Sequence, residues 1–195
     1  MKGTELFGKD LGLIGFGHIA QGVGSVAQML GMEVHTYDPY LPSKVAKAQN
    51  TTLHKSVDTL FQNCTHISIH CNFTDETHHL VNAERMALMP GKSRDGIPCG
   101  NHIVNCARGG IIDETALLAS LKTGQISSAA LDVFEQEPVS KGNELIQHPN
   151  FHGTPHIGAA TLEAQARVGK DIGLAIMDVL NGKVADTTVN SHLLK

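Results

Sequence analysis

The sequence predicts an α/β fold, a doubly wound parallel sheet with helices on both faces, and three observations carry that prediction. Short apolar runs of strand length alternate with stretches of helical periodicity along most of the chain. A glycine turn, Gly15-Phe16-Gly17-His18-Ile19-Ala20, joins the first run to the first helix. An acid, Asp38, closes the second run about 20 residues later.

The first strand is Leu11-Gly12-Leu13-Ile14, of the length and composition of a strand buried on both faces. After the glycine turn, Ile19, Val23, Val26, Ala27 and Leu30 recur at helical spacing, and Gly31 supplies a left-handed stop. A second strand over 32–37 delivers Asp38. Strand, turn, helix, strand and acid in this order describe a dinucleotide site. Gly15 permits the tight turn and Gly17 lets the backbone approach a pyrophosphate. The unsatisfied N–H groups of the helix start bind that anion. The Asp38 carboxylate can accept from both ribose hydroxyls and repels a 2′-phosphate, which selects NAD over NADP. The plainer alternative is a βαβ unit with an ordinary glycine turn, and the full order of elements favours the nucleotide.

Short helices follow over 43–49 and 56–62, then a third buried strand over 65–71, made unusually polar by His66 and His70. Residues 72–77 form a loop, and Asn82 caps a helix that reaches Met89. The stretch 90–100, punctuated by glycine and proline and carrying both charge signs, reads as a surface loop. A strand over 102–106 precedes a helix capped by Asp113 and stopped by Gly124. Strands over 128–134 and 151–154 complete the sheet, and a long helix covers 161–180.

Bulk properties exclude several function classes. A net charge of −4 over 195 residues leaves no basic face for nucleic acid or anionic lipid. No apolar run approaches the roughly 20 residues that span a membrane, and Met1-Lys2-Gly3-Thr4-Glu5 is no signal peptide. The expected setting is cytoplasmic, with reduced thiols. Cys64, Cys71, Cys99 and Cys106 make no C-x-x-C pair. The 12 histidines raise a metal hypothesis that fails on spacing. His66 and His70 would lie about 13 Å apart along a strand, too far for one zinc. His78-His79 falls in a polar loop and reads as solvated, so no metal is predicted.

In an open parallel sheet, ligands sit beyond the carboxyl ends of the strands. Arg108, Glu137 and His156 each follow a predicted strand. Each has a plain alternative: a loop arginine pairing with Asp113, one solvated carboxylate among several, a half-buried histidine satisfied by backbone. Their shared position at one sheet edge favours function.

The stretch Asn105-Cys106-Ala107-Arg108-Gly109-Gly110-Ile111-Ile112-Asp113-Glu114 resembles the signature of the D-isomer-specific 2-hydroxyacid dehydrogenases. So do Ala130-Leu131-Asp132-Val133-Phe134 with Glu137-Pro138, and Pro155-His156-Ile157-Gly158-Ala159. Within that family, Gly3-Thr4-Glu5-Leu6 and Thr161-Leu162-Glu163-Ala164-Gln165 resemble the phosphoglycerate dehydrogenases. The resemblance implies a Rossmann domain that binds NAD and a hydride transfer involving a small D-2-hydroxy acid. The foremost pair would be 3-phosphoglycerate and 3-phosphohydroxypyruvate, in serine biosynthesis, with glycerate and hydroxypyruvate as the other option. It also implies a homodimer formed through the nucleotide-binding domain.

The same resemblance assigns roles. Arg108 would bind the substrate's carboxylate and C2 oxygen, His156 would be the acid/base, and Glu137 would orient the His156 imidazole. Asp132 would accept from the nicotinamide carboxamide. His18 and Ile19 match the turn that meets the pyrophosphate, and Cys71, Cys106, Ala107, Gly158 and Ala159 match positions lining the cofactor. Cys106 has no base beside it in sequence and is not assigned as a nucleophile. A second function class, an NAD(H)-binding or redox-sensing module without turnover, has its precedent in the family's transcriptional corepressors.

Departures from the family pattern are local. His18 stands where arginine is common, Ala20 where a third glycine is, Asn72-Phe73 where proline-leucine is, and Ala160 where serine is. Extra residues between Gly91 and His102 are expected to hang from the sheet edge opposite the site as a surface insertion. Family members close their substrate cleft against a second lobe, built from about 100 preceding residues and the C-terminal end. The expected organisation is a nucleotide-binding domain over 1–182, in which 1–10 and 161–182 are interdomain connections. Residues 183–195 would begin a return to a substrate lobe outside this chain.

Overall fold

The structure, a computed structural model, describes residues 3–191; the first two residues of the 1–10 connection and the last four of 183–195 lie outside the described residues. Among the described residues the strands are β1 (Asp10–Ile14), β2 (Glu33–Tyr37), β3 (Thr52–Leu53), β4 (His66–Ile69), β5 (His102–Asn105), β6 (Ser128–Leu131) and β7 (Phe151–Gly153). They form one sheet in the order β3-β2-β1-β4-β5-β6-β7, and every pairing is parallel. The helices are α1 (His18–Met29), α2 (Ser43–Ala48), α3 (Val57–Asn63), α4 (Ala83–Leu88), α5 (Glu114–Thr123) and α6 (Leu162–Leu180). The chain divides into two compact units, 1–155 and 156–195.

In the first unit, β1 sits beside β2 on one side and β4 on the other, so the winding reverses there. That reversal opens a crevice at the carboxyl ends of β1 and β4, where an open parallel sheet takes its ligand. Leu11 and Leu13 join Phe16, Ala20, Ala27, Met32 and Val34 on the face covered by α1. Ile14, Ile67, Ile69, Ile103 and Leu131 pack with Leu60, Phe61, Met86 and Leu117 on the face covered by α3, α4 and α5. Gly12 makes that second face possible, because a Cβ there would lie 2.8 Å from Ile67 and 3.0 Å from Leu60. Helix starts follow local chemistry: Ser56, Asn82 and Asp113 accept from the N–H three residues on.

Several expectations are revised. The stripe Ile19, Val23, Val26 and Leu30 of α1 is exposed, and the small residues Ala20, Gly24 and Ala27 face the sheet instead. Small residues let the helix come close; a Cβ on Gly24 would already touch Leu13 and Val34 at 3.4 Å. The strand over 65–71 is shorter and buried on one face only. Ile67 and Ile69 enter the core while His66 and Ser68 occupy the half-buried face, a period of two that accounts for the polar residues. The strand over 128–134 ends at Leu131.

The insertion lies at the amino ends of the strands, opposite the crevice, but it does not hang free. Arg94 Nη2 reaches the buried Asp10 Oδ1 at 2.6 Å, His102 Nε2 lies 2.9 Å from Cys99 O, and Ser93 and Cys99 are buried. In the second unit α6 is capped by Thr161, and none of its residues is buried. Among the described residues, no helix is long and apolar enough to cross a membrane.

Candidate active site

The crevice is a cavity of about 460 Å³ at the carboxyl ends of β1, β2 and β4. Gly15, Gly17, Asp38 and Cys71, all expected at the site, border it. Phe16, Tyr40, His70, Asn72, Glu76 and Thr77 border it as well, without having been assigned to the cofactor from sequence. Phe16, Tyr40, His70 and Asn72 lie within three residues of a strand's carboxyl end, whereas Glu76 and Thr77 come from the loop seven and eight residues past β4.

Gly15 carries the turn at φ +86, and a Cβ there would lie 3.0 Å from Cys71 N and His70 O. Only glycine fits both the conformation and the approach. Gly17 is the N-cap of α1, offers no side-chain cap, and faces open space within 4 Å of its would-be Cβ. No acid stands in the first turn of α1, so the positive end of the helix is left for an anion. Asp38 closes β2 with Oδ2 accepting from Phe16 N at 3.0 Å and Oδ1 from Tyr40 N at 2.9 Å. Two backbone N–H groups thus fix the carboxylate beside the cavity, and lone pairs remain for ribose hydroxyls. Cradle, uncapped helix start and fixed carboxylate fit a dinucleotide. His18 and Ile19 open α1 and are exposed.

Cys106, Ala107 and Arg108 follow β5, and Asp132 and Glu137 follow β6, along the same sheet edge. Asn105 shapes the first of these turns, accepting from Ala107 N at 2.9 Å and donating to Arg108 O at 2.9 Å. The Arg108 side chain is exposed and donates to Ala107 O at 2.6 Å. The alternative pairing with Asp113 is not what this acid does: its Oδ1 caps α5 and its Oδ2 faces His79. Gly109 presses so closely on the next segment that a Cβ would fall 1.8 Å from Phe134 O. Asp132 is buried and accepts from Thr154 Oγ1 at 2.5 Å, and Glu137 Oε1 accepts from Phe134 N at 3.0 Å. His156, Gly158 and Ala159 lie in the second unit, where His156 adopts φ +55.

Burial pushes the Cys71 thiol up to about 11, and burial followed by the Asp132 carboxylate pushes Cys106 up as well. Neither is a thiolate nucleophile at neutral pH. His70 is held neutral by burial, with Nε2 at 2.9 Å from Ser68 Oγ. The reading of His78-His79 as a solvated pair holds for the exposed His78 and is corrected for the half-buried His79. His79 Nε2 lies 3.0 Å from Glu135 Oε1, and the two imidazoles stack at 4.0 Å. The partner is 56 residues away, so nothing local in the sequence announces it. Among the described residues, no group of three or more His, Cys, Asp or Glu is placed to hold a metal ion.

Comparison with known proteins places this geometry in a family. The NAD-binding domain of the D-isomer-specific 2-hydroxyacid dehydrogenases matches residues 1–158. The chain is 44% identical to D-3-phosphoglycerate dehydrogenase of Methanocaldococcus jannaschii over 97% of its own length and 34% of that protein. It is 44% identical to hydroxypyruvate reductase of Thermotoga maritima over 88% of its length and 53% of that protein. The D-lactate dehydrogenase of Aquifex aeolicus, solved with NAD and lactic acid, superposes with a TM-score of 0.79 at 29% identity. That superposition covers 92% of this chain and 55% of the other. The chain thus spans about a third of the length of the phosphoglycerate dehydrogenases it matches, 34% and 32% for two of them. It belongs to the D-isomer-specific 2-hydroxyacid dehydrogenases, as their NAD-binding domain.

Proposed function

We propose that the chain is the nucleotide-binding half of an NAD-dependent dehydrogenase acting on a small D-2-hydroxy acid, with 3-phosphoglycerate and 3-phosphohydroxypyruvate as the favoured pair. The observation that carries this reading is the alignment of both halves of the chemistry along one sheet edge. The Gly15 turn, the uncapped α1 and Asp38 lie beside the cavity, and Arg108 and Glu137 follow β5 and β6. Likeness to phosphoglycerate dehydrogenases over nearly the whole chain supports the phosphorylated substrate. Likeness to a hydroxypyruvate reductase supports testing the unphosphorylated acid beside it.

The nicotinamide, when bound, supplies or accepts the hydride. Arg108 presents a planar cationic fork that grips the substrate carboxylate and draws charge onto the C2 oxygen. His156 takes the hydroxyl proton during oxidation and returns it during reduction. Glu137 would orient the His156 imidazole and fix its tautomer. Asp132, already held by Thr154, would accept from the nicotinamide carboxamide. His18, Ile19 and Gly17 would meet the pyrophosphate, and Cys71, Cys106, Ala107, Gly158 and Ala159 would line the cofactor. The nucleotide-binding domain is taken as 1–182, with 1–10 and 161–182 connecting to a substrate lobe and 183–195 beginning the return. A homodimer through this domain agrees with the exposed Val26, Met29 and Leu30 of α1. A cytoplasmic setting agrees with the four free cysteines.

The test is a fluorescence titration with NADH, then turnover with 3-phosphohydroxypyruvate and hydroxypyruvate. His156→Ala should keep NADH affinity within about threefold while abolishing turnover. Turnover that survives this change removes His156 from the acid/base role. NADH binding without turnover, even when a substrate lobe is supplied, leaves the non-catalytic sensor as the better reading.

A further inference from the structure

His79 stands between β4 and α4 at φ +49, a left-handed conformation that residues other than glycine seldom adopt. Its backbone is stitched to the loop that carries Arg108. His79 N donates to Gly110 O at 2.8 Å, Val81 N to Ile111 O at 3.0 Å, and Asp113 N returns to Val81 O at 3.0 Å. Its side chain reaches a third segment, with Nε2 at 3.0 Å from Glu135 Oε1 and Nδ1 at 4.0 Å from Asp113 Oδ2. Glu135 is itself locked to α5: its Oε1 accepts from Glu114 N at 3.1 Å and its N donates to Glu114 Oε1 at 2.6 Å. The His78 ring stacks on His79 at 4.0 Å, and Phe73 meets His78 edge-on at 5.8 Å. Phe73 in turn abuts the Arg108 loop, where a Cβ on Gly110 would come within 2.8 Å of its ring.

We infer that His79 is a positioning residue for the substrate: its imidazole cross-links the loop bearing Arg108 to the segment 134–137 bearing Glu137. The inference rests on the reading of Arg108 as the carboxylate ligand. The His79 side chain is 36% exposed and its Glu135 partner 39%, so the pair adds little to global stability. What it limits is local freedom. Gly109 and Gly110 leave the Arg108 loop conformationally permissive, and the contact of His79 with Glu135 and the close approach of Phe134 O to Gly109 both restrict it. Substrate grip depends on where the guanidinium sits, and small displacements are costly.

The test is steady-state reduction of a 2-oxo acid by the chain supplied with a substrate lobe from a family member, comparing His79→Gly, His79→Gln and Arg108→Ala. Glycine keeps the left-handed backbone and removes the imidazole. Glutamine places an amide nitrogen as many bonds from Cα as Nε2 and can donate to Glu135. His79→Gly should raise KM for the 2-oxo acid about tenfold, with NADH affinity and Tm little changed, and His79→Gln should restore most of the loss. An unchanged KM in His79→Gly, while Arg108→Ala raises it, would overturn the role of His79. An unchanged KM in Arg108→Ala would instead overturn the reading of Arg108. Equal losses of NADH affinity, Tm and substrate KM in His79→Gly would make the residue a fold element and overturn the inference.

Discussion

At the scale of single residues, Asp38 shows how a specificity determinant is held ready. Both its carboxylate oxygens already accept a backbone N–H, from Phe16 and Tyr40, so no side-chain entropy is left to lose on binding. A 2′-phosphate would meet a fixed negative charge, whereas ribose hydroxyls find acceptors. Asp38→Ala should weaken NADH binding about tenfold and narrow the NADH/NADPH gap, as measured by paired fluorescence titrations. Equal affinity for both cofactors in the unaltered chain would defeat this account. Asp38 was legible in the sequence because the glycine turn, one helix and one strand fix its distance along the chain. The contact between His79 and Glu135 was not, because it depends on two loops meeting across 56 residues of intervening fold. Arg108, Glu137 and Asp132 could be named from motif likeness, but the anchors Asn105, Phe134 N and Thr154 that hold them emerge only in three dimensions.

At the scale of elements, the alternation of strands and helices and the Asn82 and Asp113 caps followed from local chemistry, while the strand order, the short β3 and the orientation of faces did not. The apolar residues of α1 point outward because the sheet side needs small ones, a tertiary demand that overrides periodicity. In β4 the reverse holds: histidines sit in a strand because only its other face enters the core. His66 stacks on His102 at 4.7 Å, and its pKa is pushed down to about 4 by burial, then by His102 and Lys9, against the opposing pull of Asp10. A histidine depressed in the folded state takes up its proton first in the unfolded chain, whose ordinary value is about 6.5. Its contribution to stability is therefore full above about 6.5, declines as pH falls toward about 4, and is gone below that. Tm followed by circular dichroism should fall through this window, and His66→Gln should flatten that part of the decline. A decline of the same depth in His66→Gln would assign it to other groups, among them His54, whose pKa is lowered by burial and then by His35.

At the scale of the whole molecule, the proposed function makes the chain one side of a cleft. The motifs from Gly15 to Asp38 close on themselves within the first unit, so this chain should bind NADH alone with modest affinity. Hydride transfer asks for more: a dry, closed space and groups that hold the far end of the substrate. For a phosphorylated substrate those groups should be cationic. The residues bordering the cavity include no Lys or Arg, and Arg108 is committed by the proposed mechanism to the carboxylate. The 195-residue chain should therefore reduce 3-phosphohydroxypyruvate with a kcat/KM at least about 100-fold below that of a family member with both lobes, and with weak selectivity over hydroxypyruvate. Supplying the substrate lobe, in the same chain or in trans, should raise both the rate and the preference for the phosphate. The order of recovery is informative. A lobe that restores the rate with hydroxypyruvate but adds no preference for the phosphorylated acid would retain the dehydrogenase assignment and move the natural substrate to the unphosphorylated one. A chain that turns over alone as fast as a family member with both lobes would show that closure and distal grip are already built into these residues, and the cleft argument would fall.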